Sequence, residues 1–468
     1  MWIFTSFVFI RFKKIFLIYI YFYICMKDQS KLLTSRQKEI LSLLRKGLTN
    51  SEICRALNIS ANTVKVHLAN IYKALEVTNR TEAVSTDITK SARRQTTDDD
   101  IHITITGCDG LTATPLAKGL SLAIVEALHH YHLFRINGSI APQSPPTYQI
   151  QVTGTPEKDE NLFVTLYRGD TSEILWSVSQ KIGDGDDIQF LASQITIQLF
   201  SHMVSSAAHA YETDREKFPQ WWFASCYANI QTDSGNRDAF DEIVSTLEAL
   251  LREENHHTYV ACSLVSAYYV AINESWVDAE RYSAKIGEIA CSEMRKNPYS
   301  IYSQFMMALY NIVIGNKSEA IAYFLQILDA NPNDFRVRRM LAQIYMLVGK
   351  EDKALALLNE NERFFPESSG QPFQSTPRAF IYFLQGRFAE SEEAARQVLL
   401  FHPETPLARL ILIACNNKKG DFEQSDKHIR KFFEYHPHFK KSDLEHLLSG
   451  IAPSKKDIIL DSVKNVFP

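Results

Sequence analysis

A repeat of about 34 residues in the C-terminal part constrains the fold of this chain more than any other feature. Five prolines recur at intervals of 34, 34, 37 and 34 residues: Pro298, Pro332, Pro366, Pro403 and Pro437. Four glycines share the period, and a small residue lies five positions after each: Gly315 with Ala320, Gly349 with Ala354, Gly386 with Ser391, and Gly420 with Ser425. The glycine ends one helix, the small residue lets two helices approach, and the proline breaks the chain before the next repeat. The pattern predicts a solenoid of stacked helix pairs.

This pattern resembles the tetratricopeptide repeat (TPR). Four repeats are clear from 301 to 438, and the interval of 37 is explained by the insertion ESSGQPF at 367–373. We expect TPR repeats over 298–450 and two degenerate helix pairs over 218–297, with four aromatic residues of the repeats in the core: Tyr310, Phe324, Tyr345 and Tyr382. The resemblance implies a concave face that binds a protein or peptide partner.

The charge of the chain is divided unevenly. Residues 31–85 hold nine Lys or Arg against four acidic residues, whereas residues 86–468 carry a net charge of -12 within an overall charge of -4. With 45% hydrophobic and 22% charged residues, the composition is that of ordinary globular domains. A small basic module ahead of a large acidic body is typical of a DNA-binding head on a body that does not bind DNA.

The basic module shows three successive helix signals. Thr34 with Gln37 and Thr49 with Glu52 have the spacing of capping boxes, and Ser60 can cap a third helix. In that third helix four apolar residues form one stripe, Val64, Leu68, Ile71 and Leu75, and the opposite face presents Asn62, Lys65, Val66, Ala69 and Lys73. Two short helices joined by a tight turn predict a helix-turn-helix, although spacing alone leaves a generic helical hairpin equally open.

The run LTSRQKEILSLLRKGLTNSEICRALNISANTVKVHLANIYKALEVTNRTEAV resembles the LuxR/NarL/FixJ-type helix-turn-helix over about 50 residues without a gap. The match includes Leu33, Thr34, Arg36, Glu39, Leu41, Gly47, Glu52, Ile53, Leu57, Ser60, Thr63, Val64, Lys65, His67, Ile71, Leu75, Arg80 and Ala83. It implies an all-α DNA-binding domain over residues 30–90, with residues 61–74 as the recognition helix. This module usually ends a protein, and its position at the start of this chain weakens the case for two-component phosphorylation.

The resemblance also assigns roles to residues. Lys65, Val66 and Ala69 are expected to face the major groove of double-stranded DNA, beside Asn62 on the same face. The DNA backbone is expected to lie near Thr49, Asn50, Ser51, Thr63, His67, Asn70 and Lys73. The helix at 81–89 is the one such domains often use to pair, so a homodimer on DNA is expected. RNA polymerase is a further candidate partner.

A polar linker at 91–100 precedes a predicted small α/β domain at 101–210. The expected order is β-α-β-β-β-α, with a strand at Ile101–Gly107, a helix at 115–131, strands at 148–153, 161–168 and 173–180, and a helix at 186–203. This order resembles the TolB-N-terminal-like module found between an effector head and TPR repeats, which implies a coupling domain without catalytic activity. The fold class expected for the whole chain is therefore multidomain: an all-α helix-turn-helix head, a small α/β domain and an all-α TPR solenoid.

The first 25 residues are rich in Phe, Ile and Tyr but are interrupted by Arg11, Lys13 and Lys14. A membrane-spanning helix needs about 20 uninterrupted apolar residues, and a signal peptide carries its charges first. We expect translation to start at Met26 and residues 1–25 to be a mis-called extension, with a membrane anchor as the alternative. Seven scattered cysteines without a C-x-x-C motif indicate free thiols in a reducing compartment and no metal site.

Three functions were weighed. The preferred one is a cytoplasmic bacterial one-component transcription regulator, neither an enzyme nor dependent on a cofactor, in which the head binds DNA and the solenoid senses a partner. An ATP-driven regulator would need a P-loop, and the nearest string, Gly315-Asn316-Lys317-Ser318, lacks the upstream Gly and the adjacent Gly-Lys. The alternative that stays open is a TPR scaffold with a vestigial helix-turn-helix, against which the Lys65 and Lys73 face argues.

Overall fold

The computed structural model describes most of the chain after residue 99 and seven residues before it. The described residues are Ile40, Leu43, Leu44, Thr49, Glu52, Ile53 and Leu68, and then 100–107, 114–137, 147–155, 160–182, 187–217, 219–253, 256–274, 276–332, 334–364, 375–401, 403, 405–448, 451 and 453–467. The predicted extension at 1–25 and the linker at 91–99 lie outside these residues. Helices are numbered here from the first one after residue 100.

Within the described residues, the chain after residue 99 begins with a five-stranded mixed sheet in the order β2-β1-β3-β4-β5. Its strands are β1 (Ile101–Thr106), β2 (Phe134–Asn137), β3 (Tyr148–Gly154), β4 (Glu160–Arg168) and β5 (Ile174–Ile182). β1 pairs in parallel with both β2 and β3, whereas β3, β4 and β5 pair antiparallel. Helices α1 (Pro115–His129) and α2 (Ile188–Thr213) pack together and against this sheet.

Alternation along β3 shows which side of the sheet faces the core. Tyr148, Ile150 and Val152 are buried, while the intervening Gln149 and Gln151 are half-buried. Successive side chains of a strand point to opposite faces, so a period of two buries one face of the sheet and leaves the other partly in solvent. The covered face is the one that packs against the helices.

The predicted order β-α-β-β-β-α is wrong by one strand. The structure adds β2 between α1 and β3, in parallel register with β1 through pairs such as Ile101 with Phe134 and Ile103 with Ile136. Four residues are too few to show an alternating pattern, and β2 is a strand because β1 supplies its hydrogen-bond partners. The closing helix also continues to Thr213, beyond the predicted end at Met203.

Helices make up the described chain from residue 220 onward. They are α3 (Gln220–Asp233), α4 (Phe240–Leu251), α5 (Thr258–Asn273), α6 (Ala279–Lys296), α7 (Ile301–Val313), α8 (Lys317–Ala330), α9 (Phe335–Leu347), α10 (Glu351–Phe364), α11 (Ser375–Leu384), α12 (Phe388–Phe401), α13 (Pro406–Lys419), α14 (Phe422–Tyr435), α15 (Lys441–Leu447) and α16 (Pro453–Ser462). The pairs α7/α8, α9/α10, α11/α12 and α13/α14 pack as helical hairpins. No helix of the described residues is both long and apolar enough to cross a bilayer.

The four repeat glycines end their helices as predicted. Each has a left-handed backbone, with φ of 82°, 74°, 75° and 76° at Gly315, Gly349, Gly386 and Gly420. The N–H after each glycine donates to a carbonyl five residues back, a Schellman closure: Asn316 to Asn311 (2.7 Å), Lys350 to Tyr345 (2.7 Å), Arg387 to Tyr382 (2.9 Å) and Asp421 to Asn416 (2.9 Å). Only glycine adopts this conformation without steric cost, which explains its recurrence.

The small residues after the glycines lie where the paired helices cross. All four have 0% relative exposure: Ala320, Ala354, Ser391 and Ser425. The Ser391 hydroxyl donates to the carbonyl of Ala379 on the paired helix, 2.7 Å away. Of the four aromatic residues expected in the core, Phe324 and Tyr345 are buried, and Tyr310 and Tyr382 are only half-buried.

Candidate nucleic-acid interface

The Thr49–Glu52 capping box of the predicted helix-turn-helix is present. The Glu52 carboxylate Oε2 accepts from both the Thr49 N–H and the Thr49 hydroxyl at 2.7 Å, and the Glu52 N–H donates to Thr49 Oγ1 at 3.4 Å. The Ile53 N–H donates to the Thr49 carbonyl at 2.9 Å, which is the first intrahelical bond. Side chains thus satisfy donors that a helix start leaves unpaired, and the second helix begins at the predicted residue.

Four apolar residues of the basic module are buried. Ile40, Leu44 and Ile53 have 0% exposure and Leu68 has 5%, while Leu43 is half-buried. Ile40 and Leu44 belong to the first predicted helix, and Leu68 to the apolar stripe of the third. Burial of Leu68 agrees with its predicted place in that stripe.

Of the predicted DNA-contacting residues, Thr49 lies among the described residues. The others fall outside them: Asn50, Ser51, Asn62, Thr63, Lys65, Val66, His67, Ala69, Asn70 and Lys73. Their roles therefore stay predictions. The same holds for the Thr34–Gln37 capping box and for the pairing helix at 81–89.

The α/β domain lies directly against the first helical repeats. The Tyr302 hydroxyl on α7 donates to the carbonyl of Tyr131, just after α1, at 2.5 Å. On α2, the Gln194 side-chain amide donates to the Arg363 carbonyl at 2.6 Å, and the Phe190 and Phe364 ring centroids lie 5.0 Å apart. These contacts attach the α/β domain to α7 and α10.

A buried aromatic contact joins the sheet to the first helical hairpin. The Trp222 indole N–H donates to the Tyr148 hydroxyl at 3.1 Å, and that hydroxyl donates to the Met203 carbonyl at 3.2 Å. Burial raises the pKa of Tyr148 far above its ordinary value, so the phenol stays protonated and acts as a fixed donor. The contact makes the α/β domain and α3 one packed unit.

Two equivalent arginines link consecutive repeats, and sequence reasoning missed them. Arg338 and Arg409 each follow a repeat proline by six residues, and each donates to that proline's carbonyl, at 2.6 Å from Arg409 to Pro403. Each guanidinium also lies over an aromatic ring two residues before the next repeat proline, 4.8 Å from Phe364 for Arg338 and 5.4 Å from Tyr435 for Arg409. Burial lowers the pKa of both arginines. The constant spacing from proline was the signal that would have found them.

The remaining titratable clusters have structural roles. The described cysteines, Cys226, Cys262, Cys291 and Cys415, are buried, and burial raises the pKa of the Cys262 thiol to about 12. A raised pKa suppresses the thiolate and its reactivity. His257 caps α5 through Nδ1, which accepts from the Tyr259 N–H at 3.1 Å, and its ring stacks on Trp221. Among the described residues, no group of three His, Cys, Asp or Glu is placed to hold a metal ion.

Comparison with known proteins places two families on this chain. Residues 31–86 match the family of bacterial regulatory proteins, luxR family, and residues 305–369 match a tetratricopeptide repeat. The CsgBAC operon transcriptional regulatory protein of Escherichia coli K12 is 60% identical over 57 residues, which are 12% of this chain and 26% of that protein. The response regulator protein VraR of Staphylococcus aureus is 50% identical over 54 residues, 12% of this chain and 26% of that protein.

The chain thus spans about a quarter of the length of these curated relatives. Among solved structures, a tetratricopeptide repeat protein from Parabacteroides merdae aligns with a TM-score of 0.35 and 15% identity, over 56% of this chain and 97% of that one. The likeness of residues 101–210 to the TolB-N-terminal-like module stays a prediction. This chain thus combines a segment similar to the luxR family of bacterial regulatory proteins with a segment similar to tetratricopeptide repeats.

Proposed function

We propose that this protein is a one-component bacterial transcription regulator that binds double-stranded DNA through residues 31–86. The match of that segment to the luxR family, at 60% identity to a transcriptional regulatory protein, is the observation that carries the proposal. The Thr49–Glu52 capping box and the buried Leu68 support it, because they agree with the helix start and the apolar stripe that a helix-turn-helix requires. Action on DNA implies a cytoplasmic protein, and the proposed role is binding rather than catalysis.

Within this proposal, the recognition helix at 61–74 reads base edges with Lys65, Val66 and Ala69. Small side chains let a helix approach the bases, and a lysine forms hydrogen bonds with guanine. Contacts to phosphates hold the helix in place without reading sequence. They come from Thr49, Asn50, Ser51, Thr63, His67, Asn70 and Lys73. Asn62 lies on the same helix face as Lys65. The two kinds of contact differ in their dependence on sequence and salt, so they can be separated by experiment.

The test compares Lys65→Ala with Lys73→Ala on two duplexes, one enriched from genomic DNA by the protein and one of random sequence. Lys65→Ala should weaken binding to the enriched duplex more than to the random one, by about 1–3 kcal/mol of discrimination. Lys73→Ala should weaken both by similar factors and reduce the salt slope by about 1. Lys427→Ala is the matched control, because Lys427 lies on α14 with a half-exposed side chain and pairs with Glu423 of the same helix.

Equal effects of Lys65→Ala and Lys73→Ala on both duplexes would show that the recognition helix faces DNA differently. If the unaltered protein binds neither duplex at low salt, the head does not bind DNA. The alternative function, a TPR scaffold with a vestigial helix-turn-helix, would then be the one that remains.

We also propose that the TPR region binds a protein or peptide partner and that this controls the head through dimerisation. One module binds a half-site weakly, whereas two modules on one duplex gain from effective concentration. Pairing of helices at 81–89 on a two-half-site operator is therefore a suitable switch, and contact with RNA polymerase is a further possibility to test on the DNA-bound dimer.

A reporter assay compares the full-length protein with a chain ending at residue 98. Ending the chain at residue 98 removes the α/β domain together with the helices packed on it. A chain ending near residue 215 would instead keep Tyr148 and lose Trp222, whose indole N–H donates to the Tyr148 hydroxyl. The short chain should keep DNA binding and lose its response to growth conditions. If it responds as the full-length protein does, the body is not the sensor.

A further inference from the structure

The last described helix, α16, departs from the stacking of the solenoid. The repeats of a solenoid contact only their neighbours. α16 packs against α13 of the fourth repeat, and yet Lys455 near its start forms an ion pair with Glu351 at the start of α10, in the second repeat. One helix of ten residues thus connects repeats that do not adjoin, so it lies across the solenoid rather than continuing it.

The contacts of α16 follow one side of the helix. Ile459, Val463 and Val466 are buried, and Lys455 precedes them by one further turn. Lys455 and Ile459 share one face of α16, and Val463 continues it at the helix end, where its N–H donates to the Ile459 carbonyl at 3.1 Å; Val466 follows in the turn after the helix. Ile458 on the other side of α16 is exposed, and Lys464 in the turn after the helix has a side-chain exposure of 77%. Buried and exposed side chains of this segment thus lie on different sides, as in a helix bound to a protein surface.

Polar groups fix the position of this helix on α13. The Asn417 side-chain amide donates to the Ser462 carbonyl and to Asn465 Oδ1, each at 2.7 Å. The Asn465 amide donates in return to Asn417 Oδ1 at 3.4 Å. Asn417 therefore holds a backbone carbonyl near the C-terminal end of α16, which a bound helix of another sequence would also present.

The helix α13 is buried along most of its length. Its residues Ala408–Asn416 are all buried, although it belongs to the last of the four repeats. The equivalent positions differ along the solenoid. On α9, Arg339 and Gln343 are half-buried, whereas their counterparts on α13, Leu410 and Ala414, each have 1% exposure. α13 packs against α11, α12 and α14, and α16 adds a further contact on it.

We propose that the surface formed by α13 and the start of α10 is a binding site for an amphipathic helix of a partner protein, and that α16 is its resident competitor. The partner helix would carry a basic residue followed by apolar residues four and eight positions later, as Lys455, Ile459 and Val463 do, and a further apolar residue after its C-terminal end, as Val466 is here. This deepens the proposed function, since it rests on the partner-binding role proposed for the TPR region. A tethered helix competes at high effective concentration, so only a partner of good fit displaces it.

The test uses the full-length chain with a specific protease site inserted between Ser449 and Gly450, ahead of α16. A fluorescent peptide of residues 453–468 is the probe, and its anisotropy reports binding before and after cleavage. We expect the peptide to bind the cleaved protein at least ten times more tightly than the uncleaved protein. DNA binding by the same sample is measured separately, so failure of the proposed function and failure of this inference are distinguishable.

Three peptide variants locate the contact. Lys455→Glu should weaken binding to the cleaved protein at least fivefold, and Glu351→Lys in the protein should restore binding of that variant. Lys464→Glu is the matched control, because it makes the same change of charge on the exposed face and should leave affinity unchanged. Val463→Asp should abolish binding.

Three results would overturn the inference. One is a cleaved protein that keeps its circular dichroism spectrum and melting curve but does not bind the peptide. Another is a cleaved protein that loses cooperative melting after its C-terminal fragment is removed, since α16 would then be part of the core. The third is equal weakening by Lys455→Glu and Lys464→Glu, which would show that the ion pair with Glu351 does not guide the helix.

Discussion

Replacement of Thr49 tests whether the capping box holds the second helix of the DNA-binding module in place. Thr49→Ala removes two hydrogen bonds, the one from the hydroxyl to Glu52 and the one from the Glu52 N–H to Oγ1. It keeps the bond from the Thr49 N–H to the carboxylate. The mutation therefore removes half of a reciprocal cap rather than all of it.

The expected loss is about 1 kcal/mol, within a range of about 0.5–2 kcal/mol for replacing a capping Thr by Ala. For a domain of about 60 residues, 1 kcal/mol lowers Tm by roughly 4–8 °C. Thr49→Ser keeps the hydroxyl and should stay within a few tenths of a kcal/mol of the unaltered protein. Glu52→Gln keeps an acceptor for the Thr49 N–H and loses the favourable charge at the helix start, about 0.3–1 kcal/mol.

The assay is thermal denaturation of residues 27–90 followed by circular dichroism at 222 nm, with DNA affinity measured well below Tm. The predicted order of Tm is unaltered, Thr49→Ser, Glu52→Gln and Thr49→Ala, from highest to lowest. If Thr49→Ala and Thr49→Ser melt at the same temperature, the hydroxyl does not stabilise this helix and the reasoning is refuted. A loss of affinity in Thr49→Ser without a change in Tm would instead indicate direct contact with DNA.

Three further predictions concern the body. Arg409→Ala should lower the free energy of unfolding of the body by about 1–3 kcal/mol in urea denaturation, because the Pro403 carbonyl loses its buried donor. An unchanged urea midpoint would contradict the role of Arg409 in linking consecutive repeats. Gly420→Ala should lower the free energy of unfolding by about 1 kcal/mol, because alanine disfavours the left-handed backbone at this position. No atom lies within 4 Å of the added Cβ, so no clash contributes. Gly420→Asn should recover part of this loss, because asparagine tolerates the left-handed conformation better. Partial desolvation against Trp176 lowers the pKa of His202, which is otherwise exposed, so its contribution to stability is complete above its ordinary pKa of about 6.5 and is lost as pH falls from there through the lowered pKa of the folded state. His202→Gln should therefore reduce the loss of Tm between pH 7.5 and 5.5, and an unaltered pH profile would exclude this residue as a cause.

Local chemistry in the sequence determined the repeat closures and the cap. Gly315 and its equivalents end their helices because a left-handed residue is needed there, whatever surrounds it. The Thr49–Glu52 box joins residues three apart, so spacing alone specifies it. The small residues at the helix crossings could also be predicted from the sequence, because they recur with the period of the repeat.

Long-range packing decided the features that sequence reasoning missed. β2 is a strand because β1 lies beside it, and four residues carry no pattern that says so. The attachment of α2 to α10 through Phe190 and Phe364 joins residues far apart in sequence, and no local rule pairs them.

The place of α16 shows the same division between sequence and tertiary structure. Its apolar stripe is visible in the sequence, but the surface that covers the stripe is not. Lys455 and Glu351 are 104 residues apart, and only the packing of the folded chain brings the two charges together. Helical periodicity fixes which face of a helix is apolar, whereas the partner of that face depends on the shape of the whole solenoid.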